Sequence, residues 1–138
     1  MSLADDAKLE VQARFAEATR RGDADAVAAL AAPDATVWHN FDDASITLEQ
    51  SGRSLRHLHR VVTDLAWVDV AVEATTSGFL WRAVITGRAP GGPLRVHTSM
   101  AVALDDDGAI LRVDEYLDPA GFAVLAPPDR EGSRPDAR

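Results

Sequence analysis

The chain has 138 residues, no cysteine, one lysine against thirteen arginines, and a net charge of −8. That length suits one domain with its own core, so no disulfide or metal staple is needed, and the missing thiols exclude cysteine chemistry and cysteine-ligated zinc. The acidic balance argues against a nucleic-acid binder, no apolar run approaches a membrane span, and the first residues lack the pattern of a signal peptide. A soluble, cytoplasmic protein working on a small molecule is the expectation that remains. Abundant alanine and the preference for arginine over lysine point to a GC-rich bacterial genome and say nothing of function.

Residues 3–21 repeat Leu3, Ala7, Val11, Phe15 and Ala18 at steps of three or four, which predicts a helix with Ser2 as cap and Gly22 as stop. Asp23 caps a second helix over 24–32, ended by Pro33. The β-branched and aromatic run 35–41 predicts a strand. Residues 42–52 read as a polar loop with a short extended piece at 46–48, and 54–65 as a third helix striped by Leu55, Leu58, Val61, Val62 and Leu65. From Trp67 the apolar period becomes two. Strands are expected over 67–72, 79–88, 94–104 and 109–117, with turns at Ser77-Gly78, 90–93 and 105–108. Such short connections make these strands an antiparallel meander. A short helix over 120–125 completes a single domain spanning 1–125. Residues 126–138 are polar and proline-containing, and are expected to be a disordered tail. The class is α+β: helices covering one face of a curved sheet.

Several local signatures strengthen that order. They are Arg21-Gly22-Asp23, Pro33-Asp34-Ala35-Thr36-Val37, Gly52-Arg53, Asp107-Gly108-Ala109-Ile110 and Glu115-Tyr116-Leu117-Asp118. Across roughly residues 5–122 the chain resembles the nuclear-transport-factor-2-like superfamily, which includes ketosteroid isomerases, SnoaL-like polyketide cyclases and limonene-epoxide hydrolases. The resemblance implies a curved antiparallel sheet wrapped around three N-terminal helices. It also implies a cone-shaped pocket and, often, a homodimer. Carried over by position, the isomerase's tyrosine falls on Phe15, its catalytic aspartate on His39 and its protonated aspartate near Met100. The oxyanion donors that such an isomerase needs are thus missing here. In the epoxide-hydrolase pattern Glu115 matches the second acid and Arg82 falls near the arginine. The first acid falls near Val84, so that set is incomplete. The fold supports many chemistries, so the resemblance bears on architecture more than on reaction.

Strand alternation bears on the same residues independently. Val37, His39 and Phe41 share one face, and Val113, Glu115 and Leu117 share another. An acid between two apolar neighbours on an inward face must be paired, or its proton affinity must rise. A His39–Glu115 dyad at the pocket floor answers that need. The carboxylate would orient the ring, leaving its other nitrogen to move a proton. The plainer alternative is a buried polar pair that only binds ligand or satisfies itself.

Alternation also turns Thr98 and Met100 inward and His97 outward. Trp81, with Ala83 and Ile85, is expected at a pocket wall or in the core, and Phe15 belongs to the helical stripe. Asn40 either donates to a ligand oxygen or caps the Asp42-Asp43 loop. The expected substrate contacts are therefore Phe15, Asn40, Trp81, Thr98, Met100, Val113 and Leu117, with His39 and Glu115 catalytic. His57 and His59 are two apart on a helix, point in different directions and form no metal pair. They read as surface or packing residues. No metal and no cofactor are expected. The leading reading is an enzyme using acid/base chemistry, of isomerase, cyclase, dehydratase or hydrolase type. Its substrate would be a hydrophobic, steroid-, terpenoid- or polyketide-like molecule. The alternatives are a non-catalytic binding or accessory protein of the same fold, and a structural module.

Overall fold

The computed structural model describes residues 3–128. The first helix, α1 (Asp5–Arg21), carries Asp5 and Asp6 in its first turn and Arg20 and Arg21 in its last, charges that complement the helix dipole at both ends. Ala4 stands at its N-cap, and Ser2 lies outside the described residues. Gly22 ends α1 in the left-handed region (φ 69°), where a Cβ would come within 2.7 Å of the His59 ring. Glycine is therefore required there twice over, for the backbone turn and for the close approach. Asp23 then accepts from the Ala26 N–H at 3.0 Å and opens α2 (Ala24–Ala29).

The helix expected to run to residue 32 stops at Ala29, because β1 (Ala31–His39) has already begun. Pro33 sits inside that strand, where the ladder to its neighbour shifts register between Ala31 and Thr36. Proline is tolerated in a strand at such an irregularity, because no ladder hydrogen bond is demanded of it. After β2 (Ser45–Thr47) comes α3 (Leu48–Val61), which starts six residues before the predicted helix. Its signal is a capping box. The Thr47 hydroxyl accepts from the Gln50 N–H, and the Gln50 side chain accepts from the Thr47 N–H.

The remaining strands are β3 (Thr63–Ala74), β4 (Gly78–Ala89), β5 (Gly92–Leu104) and β6 (Ile110–Leu117), followed by a 3-10 turn at Pro119–Leu125. They form the expected antiparallel meander within one six-stranded sheet of order β2-β1-β6-β5-β4-β3. The sheet departs from a wholly antiparallel one at a single seam, since β1 runs parallel to β6. These two strands are joined through α3 and the meander, a connection long enough for parallel pairing. β3 shifts register twice, and Asp64 (φ 56°) and Asp69 (φ 51°) sit in the shifted stretches. Bulges of this kind bend a strand and increase its twist.

The sheet and helices bury one core around Phe15, Val37, Phe79, Trp81, Val102, Ile110 and Val113. A second, at Leu58, Val62, Ile85, Leu94 and Val96, is covered by Phe122 and Leu125 of the 3-10 turn. The chain's one lysine, Lys8, is buried and donates to the Thr75 carbonyl at 2.6 Å, tying α1 to the β3–β4 turn. No described helix is long and apolar enough to cross a membrane. Of the expected tail, residues 129–138 lie outside the described residues.

Candidate functional site

Between the curved sheet and the helices lies a cavity of about 530 Å³. A volume of that size is typical of small-molecule sites. Its sheet wall carries Val37 and His39 of β1, Val113, Glu115 and Leu117 of β6, and Met100, Ile85 and Trp67. Its helical wall carries Phe15 and Thr19 of α1, Val27 of α2 and a run of α3 side chains. Phe122 and Leu125 contribute from the 3-10 turn. The exposed members Phe41, Arg53, Ser54 and His57 mark where it opens.

The parallel seam places the two ionisable groups. His39 and Glu115 are register partners, so their side chains leave the sheet side by side. His39 Nε2 lies 3.4 Å from Glu115 Oε1, with both side chains largely buried. That spacing is an ion-pair contact, longer than a well-formed N–H···O bond. The second carboxylate oxygen is held separately, accepting from the Thr98 hydroxyl at 3.0 Å. Polar interaction with Glu115 holds the His39 pKa above its ordinary value of 6.5. Burial works in the opposite direction, and the charges of Glu115 and Asp42 add to the rise. The Phe41 ring covers the imidazole, with centroids 5.0 Å apart. The imidazole therefore faces an apolar cavity with its charged form favoured.

Phe15, Met100, Val113 and Leu117, expected to touch a ligand, all line the cavity. Three expected contacts are placed elsewhere. Trp81 is buried behind Phe15, packed edge-to-face at 5.3 Å, and borders a separate cavity of about 240 Å³ with Gln12 and Trp67. Thr98 is turned onto Glu115 rather than into the cavity. Asn40 is exposed, and its Oδ1 accepts from the Leu117 N–H at 3.0 Å, adding a side-chain rung beyond the end of the β1–β6 ladder. The Asp42-Asp43 loop needs no cap from it, since Asp42 itself accepts from the Ala44 N–H.

His97 is exposed. His59 packs inward, its ring stacked on Trp67 and its Nε2 2.9 Å from the Thr19 carbonyl oxygen, whereas His57 reaches the cavity mouth. Among the described residues, no three His, Asp or Glu side chains gather closely enough to hold a metal ion. The contribution of α3 to the wall is not expected from residues 42–52, whose polar character suggests a loop. The Thr47–Gln50 capping box is the signal that reveals it. Thr19, Val27 and Trp67 carry no comparable mark in the sequence.

No protein-family model matches the sequence, and no curated protein matches it significantly. Solved structures do match. PrhC from Penicillium brasilianum superposes with a TM-score of 0.75 at 14% identity, over 88% of this chain and 86% of that one. An NTF2-like protein from Burkholderia xenovorans gives 0.72 at 15%, over 91% and 100%. A protein with a ketosteroid isomerase-like fold from Catenulispora acidiphila, in complex with trimethylamine, gives 0.69 at 18%, over 86% and 94%. At such identities the likeness concerns architecture. The chain has the nuclear-transport-factor-2-like, ketosteroid-isomerase-like fold.

Proposed function

We propose that this chain uses its fold to bind a small, largely apolar molecule and to move a proton on it without a cofactor, in an isomerase-, cyclase-, dehydratase- or hydrolase-type step. His39 is the proton-transferring group, and Glu115 orients its ring and stabilises the imidazolium. The observation that carries this reading is an ion pair, held at 3.4 Å, on the floor of an apolar cavity. Keeping an ionisable pair in such surroundings costs stability, and functional sites are where that cost recurs. With its pKa raised, His39 keeps its proton, and with it the capacity to act as an acid, to a higher pH than a free imidazole, and it acts as a base above the shifted value.

The test is turnover of a panel of steroid-, terpenoid- and polyketide-like compounds by the wild type and by His39→Gln and Glu115→Gln. A positioned acid/base group contributes about 10²- to 10⁴-fold in rate. Losses of that order in both variants support the dyad, and turnover that survives both overturns it. A binding protein of the same fold is the second reading. It is favoured by Phe15 and Met100, apolar side chains in the cavity wall at the positions where the resemblance puts an isomerase's oxyanion donors. It predicts affinity without turnover for every compound. A homodimer belongs to the same proposal, supported by the exposed apolar side chains Val70, Leu111 and Tyr116. Sedimentation equilibrium tests it, and a monomer at micromolar concentration removes it.

A further inference from the structure

The charges that line the main cavity are unevenly matched. Among the described residues that line it, Glu115 is the only acid, against His39, Arg53 and His57, in a chain whose net charge is −8. On the floor the balance is closed, since one Glu115 oxygen faces His39 and the other accepts from Thr98. At the mouth it is open. Arg53 and His57 are one turn apart on α3 and so stand on the same side of the helix, with Ser54 beside them. Arg53 reaches Glu49 only at 3.9 Å, with both side chains mostly in solvent, and a pair of that kind holds little. His57 has no hydrogen bond or ion pair among the described residues. Arg56 of the same helix differs on both counts: it donates to Asp25 at 3.0 Å, and it does not line the cavity. The rim itself is held in place by a close approach. A Cβ on Gly52 would meet that of Ala24 at 3.0 Å, so this part of α3 lies tight against α2.

We infer that Arg53, with His57 and Ser54 beside it, recognises an anionic end of the ligand, and that the ligand is an amphipathic acid with its apolar body in the cavity and a carboxylate at the mouth. The inference rests on the reading of the cavity as a small-molecule site, but not on proton transfer by His39. An exposed guanidinium can be reached without moving any buried atom, and it offers a carboxylate two parallel N–H donors. The floor offers no such place, because its ionisable groups already oppose each other. Positive charge at the mouth of an apolar cleft also concentrates anions there, which answers how an acid approaches an acidic chain. Held in this way, the ligand enters in one direction and lays its apolar end beside His39 and Glu115.

The test uses 2-naphthylacetate and its uncharged amide, titrated by NMR at neutral pH into the wild type, Arg53→Gln, the double variant Arg53→Gln/His57→Gln, and Arg56→Gln. Binding is read from the amide signals of Val113 and Leu117, which belong to the cavity wall. The quantity compared is the ratio of the two dissociation constants, in which the apolar contribution common to both compounds cancels. Arg53→Gln should move that ratio about three- to fivefold against the carboxylate, the scale of an exposed ion pair, and the double variant should move it further. Arg56→Gln removes the same charge from the same helix and should keep the wild-type ratio. An unchanged ratio in the double variant, with both compounds still bound, overturns the inference and leaves the cavity reading intact. A wild type that binds only the amide does the same. Equal changes in Arg53→Gln and Arg56→Gln also overturn it, since general surface charge would then suffice. If neither compound moves those signals in the wild type, the inference and the cavity reading fall together.

Discussion

The two ends of the sheet solve opposite problems. At the β1–β6 seam the inward face carries His39 and Glu115, and polar partners surround the charge. Glu115 is held by both the imidazole and the Thr98 hydroxyl, and Asn40 prolongs the ladder to Leu117. At the β3–β4 ribbon the inward face carries Phe79, Trp81 and Ile85, and the strand is bent by two aspartates in left-handed conformation. The ribbon derives its stability from packed apolar volume. The seam gives up some of that in order to keep charge in a largely buried place. Substitutions of similar size should therefore have different consequences at the two ends: loss of folding in one, loss of the proposed proton transfer in the other.

The largest loss of stability belongs to the ribbon. Phe79 is fully buried between Ala74 and Val102 as ladder partners and does not line the main cavity. Phe79→Ala should cost about 3–5 kcal/mol, since it leaves a void that the packed core fills only partly. Urea denaturation would measure it. Ligand affinity of the fraction still folded should be unchanged. A loss below the range quoted would mean that the ribbon is less tightly packed than its burial indicates.

Glu115→Gln is the matching change at the seam. The amide keeps an acceptor for Thr98 but removes the charge opposite His39, so stability should change by only about 1 kcal/mol while the imidazole titration moves down. The pH dependence follows from the direction of the His39 shift. Its pKa is raised in the folded state, so the proton is bound more tightly there than in the unfolded chain. That contribution to stability is complete below the ordinary value of 6.5 and disappears as pH rises through the higher folded value. The wild type should therefore lose stability relative to Glu115→Gln across that interval. Parallel curves for the two proteins would detach His39 from Glu115.

The contrast also explains what the sequence discloses. Alternation in 37–41 and 113–117 is a local property with a fixed period of two, so the shared faces of His39 and Glu115 are legible in the residues alone. Their pairing follows from the residues only through the need to partner an inward acid, because the parallel register that makes them neighbours joins strands separated by most of the chain. Pro33 misleads for a related reason. Proline is a reliable helix terminator, but here the helix has ended at Ala29 and the proline occupies an irregular stretch of β1. Trp81 lies on the expected inward face, yet Phe15 stands between it and the cavity, and packing order of that kind leaves no trace in periodicity.

Asn40→Ala tests the seam at its edge. The Leu117 N–H loses its acceptor at an exposed position where water can replace it, so about 0.5–1 kcal/mol is expected. Amide exchange at Leu117 should speed up while that of Val113 stays slow, and uniform acceleration would mean that the rung supports the whole strand.

Asp69 gives the smallest effect and the finest test of the ribbon. Its φ of 51° lies where a Cβ is strained, and aspartate tolerates that conformation better than most residues. Asp69→Gly removes the strain but also frees the unfolded chain, two terms of similar size and opposite sign. The net change should lie within about 0.5 kcal/mol of zero. Asp69→Ala keeps the Cβ and loses the polar side chain, so it should be less stable than Asp69→Gly by about 1 kcal/mol. If alanine matched glycine, the bulge would have flattened, and the altered Val68–Ala71 register would be visible as changed amide exchange across β3 and β4.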